Sequence, residues 1–226
     1  MIYYEDPKTG QDVVLRKLYG GANRTWVEYE NIPKNLIHAC IAIEDKRFED
    51  HQGVDWFTTM KACVKMFLGQ GEAGGSTITQ QLVKNITGRD EVTVRRKLGE
   101  IFSALELEKK YTKKQIMELY LNVIALGENC EGVESASQVY FGKSVSELDL
   151  AECAALIGIT NNPSIYDPYI NPEKNKQRQE IILGEMLDQK YITQDQYDKA
   201  MAEELVFHNA SGEKSGDEDY YSYFED

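Results

Sequence analysis

The sequence predicts a mainly helical protein, and three observations support that prediction. Four Ser, Thr or Asp residues are each followed, three positions later, by Glu or Gln, which is the capping box that starts many helices. These pairs are Thr77 with Gln80, Thr112 with Gln115, Asp149 with Glu152, and Thr193 with Gln196. An apolar stripe at helical spacing accompanies these boxes, whereas strand-like runs are confined to the first 30 residues.

The first 30 residues predict a small β-containing segment. Short β-like runs at 2–4, 13–18 and 25–29 are separated by "DPKTGQ" and "YGGAN", which are typical turn sequences. A helical domain is predicted from 31 to 205. Residues 206–226 are polar and acidic with Gly and Ser, and they predict a flexible linker.

The first helix follows Pro33, which suits a first helical turn, and Glu44 falls at its end. Its predicted buried stripe is Ile32, Leu36, Ala39, Cys40 and Ile43. The stripes of three later helices are Leu98, Ile101, Phe102 and Leu105; Ile116, Leu119, Tyr120 and Val123; and Leu150, Cys153, Ala154 and Ile157.

Charge is unevenly distributed along the 226 residues. The formal net charge of -13 argues against a nucleic-acid partner, but residues 203–226 alone hold one Lys and eight Asp or Glu. Between positions 84 and 97 there are five basic and two acidic residues. A local basic patch is therefore expected on an acidic protein.

Four cysteines lie far apart without metal-binding spacing, so they are interpreted as small buried hydrophobic residues. No apolar run approaches the length of a bilayer span, and no signal peptide is evident. The chain as given is expected to be a soluble piece.

The charged stretch "EDKRFEDHQG" at 44–53 surrounds Phe48 with ionisable side chains. Two interpretations are open. A charge cluster after an amphipathic helix is usually a solvated surface. Alternatively, one carboxylate of this stretch is held for acid–base chemistry.

The stretch "GEAGGSTITQQLVKN" places two glycines before a capped helix. A helix N-terminus offers backbone N–H groups to an anion, and Gln81, Lys84 and Asn85 share one face of the helix. A plain loop followed by a solvated helix is the alternative interpretation.

The stretch "VRRKLGEIFSALELEKKY" places Arg96 and Lys97 within one helical turn of Glu100. An exposed ion-pair ladder, contributing a few tenths of a kcal/mol, is one interpretation. A second carboxylate held among cations is the other.

Taken together, "AIEDKRFEDHQGVD", "GGSTITQQLVKN", "RKLGE", "KKQIMELYLN", "GVESASQVYFGK" and "ELDLAECAALIGI" resemble, in order and spacing, the motifs of the peptidoglycan glycosyltransferases. This family is the lysozyme-like domain of class A penicillin-binding proteins and of monofunctional transglycosylases. The resemblance implies a lysozyme-like glycosyltransferase fold. It also implies polymerisation of lipid II into β-1,4-linked glycan strands, with inversion and release of undecaprenyl diphosphate.

The resemblance also implies roles for individual residues. Glu44 matches the catalytic glutamate, which would act as the general base, and Glu100 matches the second glutamate, which would orient cations or the sugar phosphate. The implied substrate-binding residues are Asp45, Ser76, Thr77, Gln80, Gln81, Lys84, Asn85, Arg96 and Lys97. Asp45 is equally well explained as a helix-end charge. Gly99 stands where the family often has a further basic residue.

Several partners follow from the resemblance. A divalent cation, Mg²⁺ or Mn²⁺, would accompany the substrate diphosphate, and moenomycin-type inhibitors would bind as donor mimics. The parent protein would act at the outer face of the bacterial cytoplasmic membrane, with a membrane helix and a transpeptidase domain that this chain lacks. A lytic enzyme of the same fold and a non-catalytic glycan-binding scaffold are the alternatives.

The stretch "DWFTTMKACVKMFLGQG" carries two apolar helical stripes. One consists of Phe57, Met60, Val64 and Phe67, and the other of Trp56, Cys63 and Met66, with Leu68 at the end. Because a surface helix needs only one stripe to reach the core, the second is expected to lie in a lipid interface, where Lys61 and Lys65 can snorkel. A helix buried on two sides is the alternative.

Overall fold

The computed structural model describes residues 2–5, 12–16, 25–67, 75–88 and 93–208, and within them the mainly helical prediction is confirmed. Two strands come first, β1 (Ile2–Glu5) and β2 (Asp12–Arg16). The helices are α1 (Lys34–Glu44), α2 (Trp56–Phe67), α3 (Ile78–Thr87), α4 (Val94–Lys110), α5 (Lys113–Val123), α6 (Val133–Phe141), α7 (Leu150–Gly158), α8 (Pro163–Tyr166), α9 (Pro172–Asp188) and α10 (Gln194–Ala202). Short 3₁₀ turns occur at Tyr29–Asn31, Val145–Glu147 and Ile159–Asn161.

The core forms where α1, α7 and α9 pack against one another. The predicted stripe of α1 is buried there, with Leu36, Ala39 and Cys40 fully inaccessible to solvent. A second group places α3 against both α4 and α5. The end of α1 and the face of α3 are therefore fixed by packing on several sides, which holds their polar side chains in place.

All four predicted capping boxes are present, at the starts of α3, α5, α7 and α10. In each, the Thr or Asp side chain accepts a hydrogen bond from the backbone N–H of the residue three positions later. The side chain of that later residue accepts one from the backbone N–H of the Thr or Asp. Local sequence thus sets these helix starts independently of the rest of the fold.

The loop between α1 and α2 depends on one glycine. Gly53 has φ of 90°, and a Cβ atom built there would lie 2.6 Å from the backbone oxygen of Ala104 in α4. A side chain fits neither the left-handed backbone nor the space. The absence of a side chain at Gly53 therefore lets this loop pack directly on α4.

The third predicted strand, 25–29, is wrong. β1 and β2 form strands where the first two β-like runs were predicted, and they pair antiparallel, but residues 25–28 form no regular structure before the first 3₁₀ turn. The Val27 N–H donates to Asn122 Oδ1 at 2.8 Å, and Asn122 Nδ2 donates back to the Val27 oxygen at 2.8 Å. A buried side-chain amide supplies the bonds that a neighbouring strand would give, so the segment is extended without belonging to a sheet.

Several apolar side chains of two predicted helical stripes are exposed in the structure. Phe57, Met60 and Val64 of α2 are 56%, 67% and 54% exposed, so the expectation that this stripe reaches the core is wrong. On α4, Leu98 and Phe102 are also exposed. The side chains of Cys63, Lys65, Met66 and Phe67, and all of Leu68, lie outside the described residues.

In the described part of the chain, no helix is both long enough and apolar enough to cross a membrane. Cys40, Cys130 and Cys153 are buried free thiols, as predicted. Burial raises the pKa of each thiol, to about 11 for Cys130. The acidic segment predicted as a linker falls largely outside the described residues.

Candidate active site

Eight of the predicted site residues line one open cleft of about 660 Å³. They come from the end of α1, from α3 and the residues just before it, and from the first turns of α4. These residues are Glu44, Ser76, Gln81, Lys84, Asn85, Arg96, Lys97 and Glu100. The shared face predicted for Gln81, Lys84 and Asn85 therefore points into the cleft.

The carboxylate of Glu44 has a distinct partner on each oxygen. Gln81 Nε2 donates to Oε2 at 2.9 Å, and the Thr160 hydroxyl lies 3.0 Å from Oε1. The Tyr120 hydroxyl donates to Gln81 Oε1 at 2.9 Å. Burial raises the pKa of Tyr120 far above its ordinary value, so the phenol stays protonated and keeps the amide nitrogen of Gln81 facing Glu44.

Glu100 is buried, only 7% exposed, so the interpretation of an exposed ion-pair ladder is wrong. Its Oε1 lies 3.3 Å from Arg96 Nη1, and its Oε2 lies 3.3 Å from Lys97 Nζ. Lys97 Nζ also donates to Ser76 Oγ at 2.6 Å. A buried carboxylate thus holds two cations at the edge of the cleft, and the exposed Lys84 of α3 lines the same cleft.

Asp45 anchors the start of α3. The backbone N–H of Ile78 donates to Asp45 Oδ2 at 3.0 Å, and His51 Nε2 lies 2.8 Å from the same oxygen. Because the Gly53 N–H donates to His51 Nδ1, the neutral ring carries its proton on Nε2 and donates it to Asp45. The first N–H group of α3, which the sequence suggested was open to an external anion, therefore already binds the chain's own carboxylate.

Three predicted substrate-binding residues do not line the 660 Å³ cleft. Thr77 and Gln80 form the capping box of α3, and the Thr77 hydroxyl also donates to the Gly53 oxygen at 2.6 Å. Asp45 and Thr77 line a smaller neighbouring cavity of about 170 Å³, which Glu44 and Ser76 also line. These contacts account for Asp45, Thr77 and Gln80 as supports of the site, and their contact with substrate stays a prediction.

An ion pair fixes the start of α2 next to the site. Arg47 donates to both oxygens of Asp55, which also accepts the Thr58 N–H at 2.9 Å. Burial opposes ionisation of Asp55, but the bonds from Arg47 and Thr58 outweigh it and hold the pKa of Asp55 well below its usual range. The loop between α1 and α2 is thereby held near its start through Asp45 and near its end through Asp55.

Sequence reasoning missed two side chains of the site. Tyr120 was assigned only to an apolar stripe, although its hydroxyl orients Gln81. Thr160 lies 116 residues from its partner Glu44, and nothing in its local sequence marks it. Only the packing of α7 against α1 brings it to the carboxylate.

The donor set does not fit a resident divalent cation. Among the described residues, no three or more His, Cys, Asp or Glu side chains are grouped so that they could hold a metal ion. Glu100 has cations as its partners, and Glu44 is bound by an amide and a hydroxyl. A divalent cation accompanying a substrate diphosphate remains a prediction.

This combination defines a class of enzyme. Glu44, a carboxylate with oriented partners, can accept a proton from a hydroxyl group, and the cations across the cleft can stabilise an anionic leaving group. A mainly helical domain with this arrangement is suited to transfer a group from an anionic carrier to a hydroxyl.

Comparison with known proteins identifies the family. The transglycosylase family model matches residues 11–187. Penicillin-binding protein 1A of Neisseria gonorrhoeae is 44% identical over 191 residues, covering 84% of this chain and 24% of that protein. Penicillin-binding protein 1A of Aquifex aeolicus is 42% identical over 194 residues, covering 84% of this chain and 27% of that protein.

A solved structure supports the same family assignment. The crystal structure of penicillin-binding protein 1A from Haemophilus influenzae has a TM-score of 0.52 and 26% identity, covering 83% of this chain and 18% of that chain. The chain therefore belongs to the transglycosylase family, and the predicted peptidoglycan glycosyltransferase domain of class A penicillin-binding proteins is confirmed. It spans about a quarter of the length of the curated relatives it matches.

Proposed function

We propose that this domain polymerises lipid II into β-1,4-linked glycan strands, with inversion at the anomeric carbon and release of undecaprenyl diphosphate. The observation that supports this most directly is one cleft that holds an oriented carboxylate, Glu44, together with the cations Lys84, Arg96 and Lys97. A sugar hydroxyl that attacks and a diphosphate that leaves need these two kinds of group.

Glu44 acts as the base in this proposal. The 4-hydroxyl of the incoming N-acetylglucosamine attacks the anomeric carbon of N-acetylmuramic acid at the reducing end of the growing chain. Glu44 takes the hydroxyl proton as the new bond forms. Gln81 and Thr160 hold its oxygens, so the carboxylate needs little reorientation for each turnover.

The cations act on the leaving group. As the bond between the anomeric carbon and the phosphate oxygen breaks, its electron pair leaves with the diphosphate, and negative charge builds on the phosphate oxygens. Arg96 can bind two of these oxygens as a fork, whereas Lys84 and Lys97 supply point charges. Glu100 touches Arg96 and Lys97 directly, so it sets their positions before the substrate arrives.

Two other functions are less well supported. A lytic enzyme of the same fold would cleave glycan with water, and it would have little use for three cations beside its carboxylate. A non-catalytic glycan-binding scaffold would not require a Glu44 whose two oxygens are each held by a separate side chain. The site favours transfer over both.

Labelled lipid II tests the proposal. The protein should convert it into a ladder of longer glycan products on a gel. Glu44→Gln, which keeps the shape of the side chain, should lower the rate by on the order of 10²–10⁴-fold, as removal of a general base usually does. Its melting temperature should stay within a few degrees of wild type, and near-wild-type activity would assign the base to another carboxylate.

The domain is also proposed to bind a membrane surface through its exposed apolar side chains. Trp56, Phe57, Met60 and Val64 of α2 are each more than half exposed, and Trp56 and Phe57 share a surface cavity of about 390 Å³ with Leu105 of α4. An apolar face of this kind suits a lipid interface. A substrate carried on a polyprenyl chain would reach the cleft from that surface, consistent with the outer face of the cytoplasmic membrane.

Liposome binding tests this surface with residues that the structure describes. Met60→Ser combined with Phe102→Ser removes two side chains that are each 67% exposed, so the melting temperature should change little while binding to liposomes falls. Ile181→Ser on α9, where Ile181 is 53% exposed, is the matched control and should bind as wild type does. Equal binding by all three proteins would contradict the assignment.

A further inference from the structure

Thr160, in the 3₁₀ turn after α7, has a hydroxyl group placed between two acceptors. Its Oγ lies 3.0 Å from Glu44 Oε1 and 2.8 Å from the backbone oxygen of Ile157. A hydroxyl carries one proton and can donate to only one of them at a time, while its lone pairs remain able to accept. Thr160 can therefore be a donor or an acceptor toward Glu44.

The other oxygen of Glu44, Oε2, faces a group that can only donate a hydrogen bond. Gln81 Nε2 faces Oε2, and the Tyr120 phenol fixes the amide in that orientation by donating to Gln81 Oε1. An amide N–H only donates, and it bonds best to an oxygen without a proton. The two oxygens of Glu44 thus differ: Oε2 is held as an acceptor, and Oε1 faces a group that tolerates either state.

We propose that Thr160 is a positioning residue that supports Glu44 in both of its protonation states and directs the accepted proton to Oε1. This inference rests on the proposed function. In the resting site Thr160 donates to the ionised Oε1. When Oε1 gains a proton, the Thr160 hydroxyl turns to the Ile157 oxygen, and its own oxygen can accept from the new carboxylic acid.

The proton balance is simple. The hydroxyl bond of the attacking sugar breaks and its proton moves to Oε1, while the electron pair of that bond forms the glycosidic link. Thr160 exchanges hydrogen-bond partners and neither gains nor loses a proton. Glu44 returns its proton to water before the next addition.

Several charged groups share the surroundings of Glu44. Lys84 of α3 and Arg96, Lys97 and Glu100 of α4 line the same cleft. Asp45, Lys46 and Asp55 line the smaller neighbouring cavity with Glu44. Within the part of the chain that the structure describes, the hydrogen bonds of the Thr160 hydroxyl go to Glu44 and Ile157 and to none of these charged groups. A substitution at Thr160 therefore changes the hydrogen bonding of Glu44 without changing the charge of the cleft.

The test compares Thr160→Val, which removes the hydroxyl at nearly constant shape, with Thr160→Ser, which keeps it. With labelled lipid II, Thr160→Val should lower kcat by about 10- to 100-fold, because Oε1 loses the group that positions it and that accepts from its protonated form, and should change KM by less than about twofold. The acid limb of its pH–rate profile should move to higher pH. Thr160→Ser should restore most of the lost rate and the wild-type profile.

A matched control is available in α3. The Thr87 hydroxyl makes a similar bond to a preceding backbone oxygen, that of Val83 at 2.9 Å, but Thr87 does not line the cleft. Thr87→Val should therefore leave the rate and the pH profile at wild-type values. A change in Thr87→Val equal to that in Thr160→Val would overturn the proposal, because a general effect on helix ends would explain both.

Two further outcomes overturn it. One is a folded Thr160→Val protein that retains the wild-type kcat and pH profile. The other is a Thr160→Ser protein as slow as Thr160→Val, which would assign the effect to packing of the methyl group. If Thr160→Val does not fold, Thr160→Ala lacks the same hydroxyl and is judged by the same criteria. A wild-type protein that forms no polymer would contradict the proposed function itself, and the role of Thr160 with it.

Discussion

Asn122→Leu should destabilise the domain strongly, although it removes no charge and alters volume little. Asn122 is fully buried in α5, and its amide exchanges two hydrogen bonds of 2.8 Å with the backbone of Val27. Val27 is itself only 7% exposed, so water cannot easily replace the lost partners. The substitution therefore leaves one N–H and one C=O group buried without bonds.

The size of the effect follows from those two groups. A buried polar group left without a partner costs about 1–3 kcal/mol, and the added apolar surface of Leu offsets part of the loss. A net loss of about 2–4 kcal/mol is expected. For a domain of this size, about 2–4 °C of melting temperature accompanies each kcal/mol, so the midpoint should fall by roughly 5–15 °C.

Thermal unfolding followed by circular dichroism measures this, with Ser135→Ala as the control. Ser135 Oγ accepts the N–H of the exposed Thr25, at 2.9 Å, and water can replace that bond, so its loss should cost less than about 1 kcal/mol. Limited proteolysis should cut Asn122→Leu near residues 25–31 earlier than wild type. A midpoint for Asn122→Leu within 2 °C of wild type, on the order of half a kcal/mol, would refute the reasoning.

Three further predictions address the site, a helix and a carboxyl pair. The three cations of the cleft are Lys84, Arg96 and Lys97. Neutralising any one of them should weaken binding of a moenomycin-type inhibitor and slow turnover. Unchanged inhibitor affinity in every variant would contradict their role. Gly99→Ala should raise the melting temperature by roughly 1–4 °C, because a Cβ there meets nothing within 4 Å and Gly weakens a helix interior; calorimetry showing a decrease would contradict this. Burial, and to a lesser extent a hydrogen bond to Asp149, raises the pKa of Glu203. The stability that protonated Glu203 contributes at low pH is therefore lost as the pH rises through that pKa. Glu203→Gln should therefore melt roughly 1–3 °C higher than wild type at pH 7.5, and at the same temperature as wild type at pH 4. A difference of the same size at both pH values would count against the Glu203–Asp149 pair.

Much of this structure could be predicted because its signals are local. A capping box needs only four consecutive residues, and the four that start α3, α5, α7 and α10 are all present. The shared face of Gln81, Lys84 and Asn85 likewise follows from helical spacing alone. Such features do not depend on which other elements pack nearby.

The wrong or missing predictions concern features that depend on residues distant in the sequence. Residues 25–29 have the composition of a strand, but the side chain of Asn122, 95 positions beyond Val27, takes the place of a neighbouring strand. Thr160 reaches Glu44 only through the packing of distant helices. Phe57 and Phe102 follow helical periodicity, yet they face outward because periodicity shows which residues share a face, not where that face points.

The buried Glu100 between Arg96 and Lys97 has a consequence for selectivity against other anions. It acts as a built-in counter-ion, because it lowers the formal charge of a cleft that also holds three cations and Glu44 from two positive charges to one. A chloride ion must compete with a carboxylate that is already bound and cannot diffuse away. A diphosphate, with several charged oxygens on adjacent phosphorus atoms, can engage both cations at once. Binding of the substrate should therefore respond to ionic strength more weakly than binding to three exposed cations would.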